Sequence, residues 1–189
     1  SSIMKKLNIK NKNFYLVSAH REENIESNDR LKNIFNIIEY LSDNHNLPII
    51  VSTHPRLRKK LKGYSKKNII LHKPFSFTDY VNLQKNSKIV ISDSGTINEE
   101  ASILGFNAIN LREAHERPEA NEEAVTIMTG TNLRNVINAI KYFENNPLTN
   151  SKKEIIASYS KENVSDAIVK IIISFINYIK QNNYKKNIN

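Results

Sequence analysis

The chain has 189 residues, a formal net charge of +9, 39% hydrophobic residues and no Cys. This length corresponds to one ordinary globular domain or slightly more, and the lack of Cys excludes disulfide scaffolds, thiolate zinc sites and Cys nucleophiles. The 21 Lys residues are scattered among 28 Asn and 27 Ile, which disfavours nucleic acid as a partner but still favours an anionic small molecule.

Six short apolar runs without polar alternation predict strands that are buried on both faces of a parallel sheet. In chain order they are 14–19, 48–52, 68–71, 88–92, 107–111 and 125–128. The runs are separated by polar loops and helical patterns. This repeated order of strand and helix predicts an α/β fold with one open, Rossmann-like parallel sheet and right-handed crossovers.

Helix boundaries between the strands are predicted from residue types that begin or end helices. Ser, Thr and Asn are favoured at the N-cap, Pro in the first turn and Gly just after the end. The predicted boundaries, in chain order, are Ser27 or Asn28, Pro55 with an end near Gly63, Thr78, residues 96–104 ended by Gly105, and residues 132–145.

Three parts of the chain follow from these elements. Residues 1–13 are predicted to be a linker or tail, residues 14–146 the Rossmann-like domain, and residues 147–189 a C-terminal helical segment. The last helix, over 163–181, is apolar nearly all round, so we expect it to pack on a missing domain or on another chain. Its most apolar stretch is shorter than a bilayer span, and the N-terminal residues contain no signal segment. We therefore expect a cytoplasmic protein without a membrane partner.

The residues most able to bind a ligand follow four of the predicted strands. Because ligands of open α/β sheets bind beyond the carboxyl ends of the strands, these four loops are expected to face one site. Each His is compatible with a structural role or a ligand contact, and their spacing does not fit a metal site. The charged run in the last loop is either solvated or a donor to an anion. The loops are His-Arg-Glu-Glu-Asn at 20–24, Thr-His-Pro at 53–55, Asp-Ser-Gly-Thr at 93–96 and residues 112–119.

The turn at 93–96 is predicted to bind phosphate. Gly95 allows a ligand to approach the backbone, Ser94 and Thr96 supply hydroxyl donors, and the start of the next helix favours an anion. An ordinary N-cap turn is the alternative. Glu100 lies within reach of a ribose attached to that phosphate, although an acidic residue there also complements the helix dipole. The chain has neither G-x-G-x-x-G nor G-x-x-x-x-G-K-[ST], which disfavours a standard dinucleotide site and a P-loop.

Five short motifs occur in a characteristic order. They are His-Arg-Glu-Glu-Asn at 20–24, Thr-His-Pro at 53–55, Ser-Asp-Ser-Gly-Thr at 92–96, Glu-Glu at 99–100 and Glu-Arg-Pro-Glu at 116–119. Together they resemble the UDP-N-acetylglucosamine 2-epimerase family over residues 14–146, and most closely its capsule and O-antigen branch. The resemblance implies that the chain is the C-terminal, UDP-binding half of a two-domain, glycosyltransferase-B-like enzyme.

The resemblance also implies a reaction. The family eliminates UDP from a UDP-N-acetyl amino sugar to give a 2-acetamidoglycal, and then adds UDP back with the C2 configuration inverted. No external redox cofactor takes part. Because the carboxylates proposed to move the C2 proton come mainly from the N-terminal half, this chain alone is expected to bind UDP weakly and not to epimerise.

For the nucleotide itself, the resemblance implies contacts in the turn at 93–96 and in the helix after it. Ser94 and Gly95 hold the diphosphate, and Glu100 holds the ribose. Thr96 also belongs to this UDP-binding set. It stands where many family members have a second Gly, and its side chain narrows the turn while adding a hydroxyl.

Catalytic roles are implied in two further loops. His20 and Arg21 lie near the pyrophosphate, where His20 helps to stabilise the departing UDP. Arg117 and Glu119 face the sugar or brace their own loop. The remaining residues implied to contact UDP are Phe75 or Phe77, beside the uracil, and His54.

Two other functions fit the same sequence. The chain could be the nucleotide-binding domain of a glycosyltransferase-B enzyme, which needs an acceptor to form its product. It could also be a non-enzymatic module that binds a sugar nucleotide. Family members often dimerise, so a homodimer is a further expectation.

Overall fold

The computed structural model describes residues 1–53, 58, 66–114, 125–146 and 156–186. It contains six strands, each within one residue of a predicted apolar run or inside it, which confirms all six strand predictions. The strands are β1 (Tyr15–Ala19), β2 (Ile49–Thr53), β3 (Ile69–His72), β4 (Ile89–Ser92), β5 (Ala108–Asn110) and β6 (Ile127–Met128).

The six strands form one sheet in the order β3-β2-β1-β4-β5-β6, and every neighbouring pair is parallel. The strand order reverses between β1 and β4, where chain connections leave in opposite directions. This is the order of a doubly wound Rossmann sheet, in which ligands bind at the point of reversal. The predicted α/β class and Rossmann-like sheet are confirmed.

Seven α-helices lie in the described residues, and several boundaries match the predicted caps. The Ser27 hydroxyl accepts a hydrogen bond at the start of α3, and the Asn132 side chain does so at the start of α6. Gly105 ends α5 with a left-handed φ of 74°. The helices are α1 (Ile3–Lys6), α2 (Glu22–Glu26), α3 (Asn28–Asn44), α4 (Phe77–Asn86), α5 (Ile97–Leu104), α6 (Leu133–Asn145) and α7 (Val164–Lys186).

Two helix starts differ from the predictions. Ser76, not Thr78, caps α4, because the Ser76 hydroxyl accepts the backbone N–H of Asp79 at 3.3 Å and Thr78 already lies in the first turn. Helix α2 lies in a stretch that we predicted to be a loop. It has five residues and Arg21 at its N-cap, without a side-chain capping bond, so it carries no capping signal. The basic helix predicted from Pro55 lies outside the described residues apart from Arg58.

The structure places residues 1–13 in the fold rather than in a linker or tail. Helix α1 and the turn after it bury Ile3 and Ile9, which are 4% and 8% exposed, in a core cluster with residues of β1 and β4. Leu7 packs against the same cluster. The N-terminal segment therefore covers part of the sheet, because its few apolar residues pack into the core cluster.

The core lies on both faces of the sheet, and β1 contributes to both. Tyr15 and Val17 belong to the cluster covered by α3 and α6, while Leu16 and Phe14, the residue just before β1, belong to the cluster covered by α4 and α5. All four are at most 1% exposed. Burying a large apolar side chain contributes about 1.5–3 kcal/mol to the free energy of unfolding. The core therefore fixes the position of β1, from whose end the loop with His20 and Arg21 begins.

The C-terminal residues from Ala157 onward form a separate compact unit in the described part of the chain. Its described part consists of a short 3-10 helix, Ala157–Tyr159, and α7. The apolar side chains of α7 are exposed, from 44% for Ile176 to 68% for Ile173. No helix within the described ranges has the length and apolar character needed to cross a membrane.

Candidate functional site

The candidate site lies where β1 and β4 end side by side. Ser18 of β1 is paired with Ser92 of β4, so the loops that follow the two strands begin next to each other. Tyr80 of α4 lies near both strands, and Ser18 and Ser92 are among the neighbours that act to lower its pKa. Burial raises the pKa of Tyr80 to about 12, so its phenol is neutral at physiological pH. No sequence signal placed Tyr80 at the site.

Asp93 joins the two loops. Its carboxylate is 1% exposed and accepts the backbone N–H of His20 at 3.0 and 3.1 Å and that of Arg21 at 3.0 Å. The Asn24 amide donates to the same carboxylate at 2.9 Å. A buried carboxylate must be paired or hydrogen-bonded to be tolerated, and these donors meet that need. Asp93 therefore fixes the start of the loop that carries His20 and Arg21.

Residues 93–96, which the sequence predicts to bind phosphate, form a tight turn (the phosphate turn). The Ser94 backbone N–H donates to the Ser92 hydroxyl at 3.1 Å, and the hydroxyls of Ser94 and Thr96 are 3.1 Å apart. Thr96 occupies the N-cap of α5 without a side-chain capping bond. The first N–H groups of a helix have no partner within the helix, so this end of α5 is suited to an anion.

Glu100 is held in place from two sides. Its Oε1 accepts the Thr96 hydroxyl at 2.5 Å, and its Oε2 accepts the side-chain amide of Gln84. Gln84 lies on α4 and is 1% exposed. The Glu100 carboxylate is thus fixed one turn into α5, beside the phosphate turn. Glu100 lies beside this turn, as the sequence predicted. The contact between Gln84 and Glu100 was not predicted.

Arg112 lies closer to the phosphate turn than its position at the start of a charged loop indicated. It lies two residues after the end of β5 and is only 8% exposed, which is unusual for a charged side chain. A Cβ added at Gly95 would lie 3.4 Å from the Arg112 Nη1 atom. A buried guanidinium therefore lies against the glycine of the phosphate turn, and its charge favours an anion there. The only sequence signal was its position after an apolar run.

The two candidate aromatic residues differ in their surroundings. The Phe75 ring is stacked on His72, with ring centroids 4.0 Å apart and 2° between the planes. Phe77 begins α4 and is 83% exposed. Both lie in the segment that follows β3, as predicted. His54, Arg117 and Glu119 lie outside the described residues.

An open cavity of about 320 Å³ borders the site on the side of β5 and β6. It is lined by Arg112 and Glu113 after β5, and by residues 128–132 and Asn135 at the end of β6 and the start of α6. Gly130 has a left-handed φ of 61° there. Within the described ranges, no three acidic or His side chains come together in a way that could hold a metal ion.

Comparison with known proteins identifies relatives over most of the chain. The family model described as UDP-N-acetylglucosamine 2-epimerase matches residues 1–173. A protein named UDP-N-acetylglucosamine 2-epimerase from Methanocaldococcus jannaschii is 35% identical over 152 residues, which cover 74% of this chain and 42% of that protein.

Two solved structures give the same result. The UDP-N-acetylglucosamine 2-epimerase from Rickettsia bellii is 37% identical, with a TM-score of 0.78, and the match covers 96% of this chain and 49% of that chain. A Methanocaldococcus jannaschii UDP-GlcNAc 2-epimerase, crystallised in complex with UDP-GlcNAc and UDP, is 30% identical with a TM-score of 0.73 over 92% of this chain and 49% of that chain. The chain spans about half the length of these relatives.

Proposed function

Because this chain belongs to the UDP-N-acetylglucosamine 2-epimerase family, we propose that it supplies the UDP-binding half of an enzyme that epimerises a UDP-N-acetyl amino sugar at C2. The observation that carries the proposal is the tight turn at 93–96, which leads from β4 into α5 at the reversal point of the sheet. The bound nucleotides named for a structural relative support the same ligand class.

The diphosphate is proposed to bind Ser94, Gly95 and Thr96 at the start of α5. The helix end supplies backbone N–H donors, and the buried Arg112 beside Gly95 supplies positive charge. Glu100 is proposed to accept hydrogen bonds from the ribose. Its fixed carboxylate supports this role, since a positioned acceptor loses little freedom when the ligand binds.

Residues from the other loops are proposed to complete the site. His20 and Arg21 face the departing UDP, and their backbone is fixed by the buried Asp93 carboxylate. Phe75 or Phe77 borders the uracil. The residues that lie outside the described ranges keep their proposed roles: His54 in the UDP site, and Arg117 and Glu119 toward the sugar.

The chemistry proposed for this site is stabilisation of a leaving group. In the elimination step the C2 proton is removed, a C1–C2 double bond forms, and the C1–O bond breaks with its electron pair leaving on UDP. Donors fixed around the diphosphate lower the barrier because they stabilise the charge that develops there. Addition of UDP to the resulting glycal, with a proton returned to the opposite face of C2, gives the epimer.

A second part of the proposal concerns what this chain lacks. The apolar side chains exposed on α7 support packing against the half of the enzyme that the chain does not span, as we expected from the sequence. We propose that the complete enzyme acts in the synthesis of surface polysaccharide precursors, because the motifs most resemble the capsule and O-antigen branch of the family. A homodimer would be formed by the complete enzyme.

Calorimetric titration with UDP, UDP-GlcNAc and ADP tests the ligand assignment. We expect weak binding of UDP and UDP-GlcNAc, weaker binding of ADP, and a loss of about tenfold in UDP affinity for Glu100→Gln, the effect of one hydrogen bond to a charged group. Glu162→Gln, on an exposed residue, serves as the control. Equal binding of ADP and UDP, or no effect of Glu100→Gln, would count against the assignment.

A further inference from the structure

We propose that Thr96 is a positioning residue that couples the binding of the diphosphate to the binding of the ribose. This inference rests on the function proposed above and assigns a role to the Thr96 hydroxyl within it. The observation behind it is a chain of hydrogen bonds that runs from Ser94 through Thr96 to Glu100.

The direction of each hydrogen bond in this chain follows from the number of protons. Each hydroxyl has one proton, and an ionised carboxylate has none. Because the Thr96 hydroxyl donates to Glu100 at 2.5 Å, the contact of 3.1 Å between the two hydroxyls must be a donation from Ser94 to Thr96. The Thr96 backbone N–H donates to Ser94 Oγ at 3.3 Å. The Ser94 hydroxyl proton therefore points to Thr96 Oγ1, and the Thr96 hydroxyl proton points to Oε1 of Glu100.

A diphosphate that enters the turn reverses this arrangement. Phosphate oxygens are acceptors only, so they attract the hydroxyl protons of Ser94 and Thr96. When the Thr96 hydroxyl turns to the phosphate, it leaves Oε1 of Glu100 free to accept a ribose hydroxyl. Gln84 continues to hold Oε2 and keeps the carboxylate in place. Binding of the diphosphate thus prepares Glu100 for the ribose.

This mechanism predicts that Ser94 and Glu100 are energetically coupled only when residue 96 has a hydroxyl. Thr96 is exposed, so its replacement should leave the fold intact. Val is the matched replacement, because it keeps the shape of Thr and removes the hydroxyl. Ser keeps the hydroxyl and should keep the coupling.

The test is a double-mutant cycle with UDP as the probe, measured by NMR titration of the 189-residue chain. Ser94→Ala, Glu100→Gln and the double variant are compared with Thr96 present and in a Thr96→Val background. When Thr96 is present, Ser94→Ala and Glu100→Gln should each weaken the binding of UDP. We expect the double variant to weaken it about fivefold less than the product of these two effects. In the Thr96→Val background, where the linking hydroxyl is missing, we expect the single effects to multiply.

Two control variants accompany the cycle. Thr96→Ser should restore the coupling. Thr78→Val removes a hydroxyl with a similar contact, 3.4 Å from Ser76 Oγ near the start of α4, and should leave the coupling unchanged.

The outcomes separate this inference from the proposed function. If UDP binds, Glu100→Gln weakens binding, and the effects multiply in both backgrounds, the coupling by Thr96 is overturned while the UDP site stands. Persistent coupling in the Thr96→Val background also overturns it. If the unmodified chain shows no binding of UDP, the proposed function and the inference both fail.

Discussion

Both carboxylate oxygens of Asp93 accept the backbone N–H of His20, at 3.0 and 3.1 Å, although the two residues are 73 positions apart in the chain. The contact joins the loop after β4 to the loop after β1 at the reversal point of the sheet. Asp93 thereby sets the position of a proposed catalytic residue without being placed in contact with the ligand. It also connects the phosphate turn to the segment that leads into α2.

Replacing Asp93 by Asn should destabilise the protein. The amide nitrogen of Asn is a donor, so it would face the N–H donors of His20 or Arg21 without accepting from them. A buried, unsatisfied polar group of this kind costs about 1–3 kcal/mol, and more where a charge was involved. We expect the free energy of unfolding in urea to fall by about 2–3 kcal/mol.

Asp43 offers a matched control for that substitution. It is paired with Lys66 at 2.8 Å, but its side chain is 63% exposed. Exposed ion pairs contribute at most about 1 kcal/mol, so Asp43→Asn should change stability far less than Asp93→Asn. If the two substitutions lowered the free energy of unfolding equally, the hydrogen bonds of Asp93 would contribute no more to stability than an exposed ion pair.

The stability of the protein should fall in acid because of a polar cluster formed by Tyr15, His45, Lys88 and Glu144. Glu144 Oε1 accepts from Lys88 Nζ at 2.6 Å and from the Tyr15 hydroxyl at 3.0 Å. Burial lowers the pKa of His45 below its ordinary 6.5. Burial acts to raise the pKa of Glu144, but the hydrogen bonds from Lys88 and Tyr15 outweigh it and lower that pKa below 4.5.

Both shifts mean that the unfolded chain binds protons more readily than the folded one. The free energy of unfolding should therefore decrease as the pH falls below about 6.5, through His45, and again below about 4.5, through Glu144. Urea titrations from mildly alkaline to acidic pH measure this profile. His45→Gln should flatten its upper part and Glu144→Gln its lower part, and unchanged profiles for both variants would contradict this account.

Gly105 should be needed for the end of α5. Its φ of 74° lies in the left-handed region, where an Ala side chain costs about 1 kcal/mol. Gly105→Ala is thus expected to lower the free energy of unfolding by about that amount. Gly95→Ala is the control, because Gly95 has no positive φ and an added Cβ would meet only the far end of Arg112 at 3.4 Å. A larger loss of stability for Gly95→Ala would refute the comparison.

The chain alone should not epimerise its substrate, although it should bind UDP. The resemblance implies that the proton-transfer carboxylates come mainly from the half that the chain does not span. Incubation of the chain with UDP-GlcNAc in D₂O should therefore give no deuterium at C2 and no epimer in the NMR spectrum. A full-length relative provides the positive control under the same conditions, and C2 exchange catalysed by this chain alone would refute the expectation.

The sheet could be predicted from the sequence because buried parallel strands produce continuous apolar runs that need no other information. The turn at 93–96 and the end of α5 were predictable for a similar local reason, since Gly95 and Gly105 mark them, while phosphate binding at that turn stays a prediction. The proximity of Glu100 to the turn followed from helix spacing. Local signals of this kind depend on residues that are neighbours in the chain.

The parts that sequence reasoning missed depend on contacts between distant residues. Asp93 receives its donors from residues 20–24, and Gln84 reaches Glu100 from another helix. Arg112 meets Gly95 only because β4 and β5 are adjacent in the sheet. Residues 1–13 were assigned to a linker or tail because a short, mostly polar segment gives no sign of the sheet that buries Ile3 and Ile9.

The central claim is that a pyrophosphate binds at the start of α5, and backbone NMR of the labelled chain tests it most directly. Addition of UDP should shift the amide signals of residues 94–98 and of His20 in a saturable way, and uridine at the same concentration should shift them much less. Shifts confined to other parts of the chain, such as the cavity at residues 128–135, or no shifts at all, would contradict it.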